Sequence, residues 1–127
     1  MRKAILIILL FPPLANAYTF GENWTKEDTA YQAAFVTLAT VDWMQTRWMT
    51  RHDWQWDGKG YCELNPFLGS HPSEGKINTM IPLGIITHTL IAIALPPKAR
   101  RIWQGLFIIG EIGAIGNNAS AGVKLDF

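Results

Sequence analysis

Residues 77–95 read INTMIPLGIITHTLIAIAL, and this stretch decides the fold because it is the longest apolar run downstream of the N-terminal leader. Its length approaches the roughly 20 apolar residues with which a helix crosses a bilayer. Pro82 is expected to kink such a helix, and His88 would lie well inside it. The stretch therefore predicts a membrane-spanning helix that carries one ionisable side chain.

A second apolar segment follows after a short basic connection. Residues 96–101 read PPKARR, so two prolines end the first segment and three basic side chains follow. Residues 102–115 read IWQGLFIIGEIGAI, with Glu111 in the middle. Two apolar segments joined by a tight turn predict a transmembrane helical hairpin, with helices at about residues 74–95 and 98–116 and a polar tail at 117–127.

Upstream of the hairpin, residues 25–51 predict one amphipathic helix. Thr25 followed three residues later by Asp28 is typical of a helix start, and no glycine or proline interrupts the segment. One apolar stripe has three- and four-residue spacing: Tyr31, Ala34, Phe35, Leu38 and Val41. Residues 52–73 are rich in glycine and proline and predict a loop, which ends at Ser73 as the cap of the next helix. The fold class is therefore all-α.

The N-terminus has the pattern of a secretory signal peptide. Arg2 and Lys3 precede the apolar residues 4–11, two prolines follow, and Ala15-Asn16-Ala17 supplies the small-x-small cleavage pattern. We expect removal of residues 1–17 and a single helical domain over residues 18–127, exported to the bacterial inner membrane with a periplasmic face. The alternative is an uncleaved membrane anchor.

Charge and cysteine content narrow the function classes. Without Arg2 and Lys3 the chain has nine basic and ten acidic residues, so no basic excess attracts nucleic acid. The single cysteine, Cys62, cannot form an internal disulfide. No ligand spacing such as H-E-x-x-H occurs, so neither a metal nor another cofactor is expected.

The basic turn and the cleaved leader together suggest a topology. The positive-inside rule puts residues 98–101 in the cytoplasm, while cleavage leaves Tyr18 outside. Both hold if residues 25–51 do not cross the membrane, and this hairpin topology is the one we favour. The alternative topology has three membrane crossings. It puts the turn outside and Asp42 within the membrane, where an acid costs about 3 kcal/mol. A compact soluble periplasmic protein is the third option.

A short motif joins the first helix to the loop. Asp42 and Thr46 lie one turn apart, and Glu63, Asn65 and Pro66 form Glu-x-Asn-Pro downstream. This pairing resembles small bacterial and phage-encoded integral membrane proteins of unknown function, over about residues 42–95. The resemblance implies a membrane protein and no particular activity. From the residues alone, Glu63 and Asn65 predict a loop clasp that fixes how the first helix meets the hairpin.

Further polar positions are candidates for function. His71 is as readily a helix cap as a ligand. His88 and Glu111 are at similar heights in an antiparallel hairpin, which predicts a contact that either locks the two helices or titrates with protons.

Two surfaces are candidates for partner binding. Four tryptophans predict an interface surface: Trp43, Trp48, Trp54 and Trp56. Gly110, Gly113 and Gly116 form a small-residue stripe that can receive the first helix or a second copy of the chain. The predicted partners are therefore the lipid bilayer and a protein.

These features favour a non-enzymatic accessory or interaction protein of the bacterial envelope. A phage or prophage could also encode such a protein. The alternative function is an intramembrane metal- or proton-dependent enzyme or a transport component. In that case Asp42, Glu63, His88 and Glu111 would carry the chemistry.

Overall fold

The computed structural model describes residues 20–126, which fold as three helices and one small β-hairpin. The elements are α1 (Lys26–Arg51), β1 (Gln55–Trp56), β2 (Lys59–Gly60), α2 (Glu74–Ala94) and α3 (Pro97–Ser120). The all-α class is confirmed. The signal peptide predicted for residues 1–17 lies outside the described residues.

Local sequence signals set the helix starts. The Thr25 hydroxyl accepts from the backbone N–H of Asp28, and the Asp28 carboxylate accepts from that of Thr25, which forms a capping box. Ser73 caps α2 by accepting from the N–H of Lys76, and Pro97 begins α3. These three starts agree with the predictions.

The predicted end of α3 is wrong by four residues. The helix runs on to Ser120, because residues 117–120 contain no glycine or proline that would stop it. It ends just before Gly122, whose φ of +90° is accessible to glycine without strain. The polar tail is therefore shorter than expected, and Val123 returns from it into the core.

All three helices lie side by side, with α1 parallel to α3 and antiparallel to α2. Gln104 of α3 donates to Gln32 near the start of α1, and Gln45 near its end donates to the carbonyl of Ile115. On the α2 side, Trp43 donates to Asn78. Helix α1 contacts both partners more extensively than they contact each other. It is thus the central packing element of the bundle.

The buried face of α1 is more polar than its apolar stripe predicted. Gln32, Gln45 and Thr46 are buried, whereas Tyr31 and Ala34 of the predicted stripe are exposed. The reason is that the glutamines have hydrogen-bond partners on the other two helices, as Gln32 does with Thr89 of α2 at 2.8 Å. The interior of the bundle therefore contains several polar side chains beside apolar ones such as Phe35 and Ala39.

The outer faces of α2 and α3 are apolar, in contrast to the polar side chains buried between the helices. Large aliphatic side chains are exposed along both helices: Met80, Leu83, Ile86 and Leu90 on α2, and Ile102, Leu106, Ile109 and Ile112 on α3. Polar side chains inside and aliphatic ones outside are the reverse of the usual arrangement in water.

An aromatic core closes the end of the bundle opposite the α2–α3 turn. Its buried members are Trp48, Met49, Trp54, Ile77 and Val123. Tyr61 packs against it and donates to the carbonyl of Ala121 at 3.1 Å, which attaches the loop to the chain end. The loop itself contains the β-hairpin, whose turn residues Asp57 and Gly58 both have positive φ.

Candidate functional site

Arg100 is the polar centre at the end of the bundle where α2 turns into α3. It is 1% exposed, and its Nη1 donates to the Asp28 carboxylate at 3.0 Å. The same guanidinium donates to the carbonyls of Ala92 and Leu95 at the end of α2, and to those of Glu22 and Asn23 ahead of α1. Arg100 therefore caps one helix and anchors the start of another.

Asp28 receives a second arginine. Arg101 donates to its other carboxylate oxygen at 3.0 Å and also pairs with Glu27. Asp28 is 2% exposed, so its carboxylate depends on these two arginines and on the backbone N–H of Thr25 to compensate its buried charge. Sequence reasoning treated these arginines as topology signals and missed their structural role. An acid in the first turn of α1 was the one available hint.

Glu63 holds the loop against α1. Its Oε1 accepts from the backbone N–H of Asn65 at 2.8 Å, and its Oε2 lies 3.4 Å from the hydroxyl of Thr46. The Asn65 side chain in turn accepts from the N–H of Phe67, which turns the chain at Pro66. These contacts are those of the loop clasp that the sequence indicated.

Three carboxylates come together beside this clasp. The charged groups close enough to act electrostatically on Glu111 are Asp42 and Glu63, and Glu63 acts in the same way on Asp42. Asn118 donates to Asp42 at 3.2 Å. Among residues 20–126, no lysine, arginine or histidine forms an ion pair with any of these three acids.

His88 does not contact Glu111 as predicted. Its ring lies between aromatic side chains, stacked on Phe35 at 3.7 Å and on Trp103 at 5.3 Å, with Phe107 edge-on at 4.7 Å. Its Nδ1 lies 3.3 Å from Nε2 of Gln32. The reason is register: Phe107 occupies the position opposite His88, and Glu111 lies one helical turn further along α3.

A cleft of about 580 Å³ connects these groups. Helix α1 lines it with Phe35, Ala39 and Asp42, while α2 and α3 provide largely apolar walls, and Glu63, Asn65 and Phe67 belong to the loop at one end. His88 and Glu111 also line it. The cleft therefore combines a long apolar wall with three carboxylates.

The remaining predicted residues have other environments. His71 lies at the surface and bonds the carbonyl of Tyr61 through Nε2, so it secures the loop. Trp48 and Trp54 are buried in the aromatic core, so the prediction of one four-tryptophan surface is wrong; Trp56 is exposed and Trp43 is half-buried. The reason is that the loop and chain end fold over them.

The glycine stripe does not receive α1. Gly110, Gly113 and Gly116 are exposed, and a Cβ added at any of them would meet no atom from elsewhere in residues 20–126 within 4 Å. Helix α1 packs on another face of α3. Association with a second copy through this stripe stays a prediction.

Comparison of the chain with protein-family models, curated proteins and solved structures finds no match. The site is therefore interpreted from its own chemistry. Within residues 20–126, no group of three or more histidines, cysteines or acids is arranged to hold a metal ion. The arrangement does provide a negatively charged end to an apolar cleft, which is suited to binding.

Proposed function

We propose that this protein is a non-enzymatic accessory protein of the bacterial envelope, held in a membrane by its helices and acting by binding. The observation that carries the proposal is the inverted polarity of the bundle. Arg100, Gln104, Gln32 and His88 are buried, while the aliphatic side chains of α2 and α3 face outward. Exposing so much aliphatic surface to water is unfavourable, whereas lipid solvates it readily.

Helix α2 supports membrane embedding. Among residues 20–126 it is the one helix with the length and apolarity to cross a bilayer; its mean hydropathy is 1.6, and 17% of its most apolar 18-residue stretch is buried. A core helix of a protein in water would be mostly buried. Helix α1 has no charged residue between 29 and 41, and the exposed hydroxyls of Thr37 and Thr40 bond carbonyls of their own helix. Such bonds satisfy hydroxyl groups in an environment without water.

Side-by-side packing favours three crossings over the hairpin topology. Because Asp28 pairs with Arg100, the start of α1 and the α2–α3 turn belong to the same side of the membrane. Cleavage after residue 17 would put that side outside the cell. The basic turn would then lie outside with Arg100 and Arg101 paired to acids, and the loop that contains Cys62 would lie inside.

Cysteine labelling tests this orientation. Cys62 is exposed and is the only cysteine of the chain. In spheroplasts, a membrane-impermeant maleimide should label Cys62 only after permeabilisation. A variant with Cys62→Ser and Lys98→Cys provides the matched control and should be labelled without permeabilisation. The reverse pattern would support the two-crossing hairpin instead.

Flotation tests the embedding itself. After alkaline extraction, the protein should remain with the lipid fraction of a density gradient. A wild-type chain that stays at the bottom of the gradient as a folded monomer would refute the proposal. Resemblance of the Asp42–Thr46 and Glu63–Asn65 motif to small bacterial and phage membrane proteins supports the envelope assignment, and Gly110, Gly113 and Gly116 provide a surface for self-association.

The three carboxylates favour a second candidate, a proton-dependent transport component. Asp42, Glu63 and Glu111 line one cleft, and intramembrane acids commonly serve proton pathways. Proton flux in proteoliposomes, abolished by Glu111→Gln and retained by Glu111→Asp, would support this function. Absence of flux in the wild-type protein would exclude it.

A further inference from the structure

We propose that the cleft between α2 and α3 binds a cationic amphiphile, with its ammonium group at Asp42, Glu63 and Glu111 and its chain along the apolar walls. The ligand class is a diamine acylated at one nitrogen, which has an apolar chain, an amide carbonyl group and a positively charged end. This inference rests on the membrane-embedded binding function proposed above and adds its ligand.

Charge complementarity identifies the headgroup. Asp42, Glu63 and Glu111 line one cleft, and among residues 20–126 none of them forms an ion pair with a lysine, arginine or histidine. Like charges in a low-dielectric site are unfavourable until a cation or proton neutralises them. The buried Asp28 shows the contrast, because this fold supplies it with two arginines. The cleft acids therefore lack the cationic partners that Asp28 has, and the ammonium group of a ligand would supply one.

The apolar walls identify the rest of the ligand. Phe35, Ile81, Ile85, Ile91 and Phe107 line the cleft, so a hydrated metal ion or a small polar cation would leave most of it unfilled. Exposed Leu83 and Thr87 of α2 also line it, so it is open along the outer side of that helix. A chain could therefore enter laterally from lipid.

His88 provides an independent observation. It lines the cleft, is 2% exposed, and its Nε2 has no hydrogen-bond partner among the described residues. Gln32 donates to the opposite ring nitrogen, so in the neutral ring the proton is on Nε2, which is a donor without an acceptor. Leaving a buried donor without an acceptor is unfavourable. A carbonyl on the bound chain would satisfy it.

Helix geometry gives the spacing between the two polar parts of the ligand. Phe35 stacks on His88, and Asp42 lies seven residues further along α1, or about 10 Å at 1.5 Å per residue. The carbonyl is therefore separated from the ammonium group by a spacer of several carbons. An acylated diamine has this pattern, and dodecanoylated hexamethylenediamine is the probe chosen for the test.

Calorimetric titration of the wild-type protein in zwitterionic nanodiscs measures binding, with empty nanodiscs as the blank. The acylated diamine should bind, and N-hexyl dodecanamide, which lacks the amine, should bind at least tenfold more weakly. Asp42→Asn and Glu111→Gln should each weaken the diamine about ten- to hundredfold and leave the neutral amide unchanged. Glu27→Gln, at the far end of the bundle, is the matched charge control and should have no effect.

His88→Phe separates the carbonyl from the amine. It should weaken the acylated diamine about three- to tenfold and leave octadecylamine, which has no carbonyl, unchanged. Equal binding of the charged and neutral probes, no effect of Asp42→Asn or Glu111→Gln in folded protein, or no binding at all would overturn the proposal. Because flotation is measured without a probe, failure of ligand binding is distinguishable from failure of membrane embedding.

Discussion

Replacing Arg100 with methionine is expected to destabilise the bundle by about 3 kcal/mol. Loss of one partner from a buried ion pair costs about 3–5 kcal/mol, and the Arg100–Asp28 pair is 1% and 2% exposed in its two side chains. Asp28 would keep its bond from Arg101, so its charge would remain partly compensated. This remaining bond puts the expectation at the lower end of the range.

The assay is unfolding by SDS in mixed micelles, followed by far-UV circular dichroism. Arg100→Met, Asp28→Asn and the double variant form a double-mutant cycle, in which the pair should show a coupling of at least about 1 kcal/mol. Arg101→Met is the control and should destabilise the bundle less than Arg100→Met does, because the Arg101 side chain is 33% exposed and pairs partly with exposed Glu27. Additivity of the two single effects within about 0.5 kcal/mol would refute the reasoning.

Three further predictions concern the same bundle. The stability gap between wild type and Asp28→Asn should shrink in acid, because protonation of the Asp28 carboxylate removes the charge that pairs with Arg100 and Arg101. A gap independent of pH would contradict this. Thr46→Val should cost about 1 kcal/mol in the SDS titration by removing the contact with Glu63, and more than Thr37→Val, whose hydroxyl bonds only its own helix; equal costs would count against the clasp. Gly113→Leu should not destabilise the monomer, since a Cβ at this position would meet no atom from elsewhere in residues 20–126 within 4 Å, and it should abolish chemical cross-linking of two copies. A persisting dimer would exclude the glycine stripe.

Helix starts were predictable because their signals are local. Thr25 and Asp28 satisfy each other within one turn, and Ser73 caps α2 through the adjacent N–H of Lys76. Pro97 likewise begins α3 after the break of the turn. Each signal depends on neighbouring residues alone, so tertiary packing does not alter it.

The buried face of α1 was not predictable in the same way. Periodicity analysis assumes that apolar residues face the core, and it therefore selected Tyr31 and Ala34. Gln32 is buried instead because residues 56 or more positions away, His88 and Gln104 among them, supply its partners. The same distance explains why Arg100 was read as a topology signal and why the His88–Glu111 contact was predicted wrongly. Pairing across helices depends on register, which apolar spacing does not determine.

The clasp and the cleft share one motif, and their geometry explains its spacing. Asp42 and Thr46 lie four residues apart, so one turn of α1 presents a cleft acid and a clasp hydroxyl on neighbouring positions of one face. Glu63 belongs to both sites, because Thr46 and the N–H of Asn65 orient its two oxygens while its charge acts on Asp42 and Glu111. Closing the loop therefore also completes the negative end of the cleft. The clasp from Thr46 and Asn65 positions the Glu63 carboxylate beside Asp42, so these four residues form one unit although they belong to two separate segments.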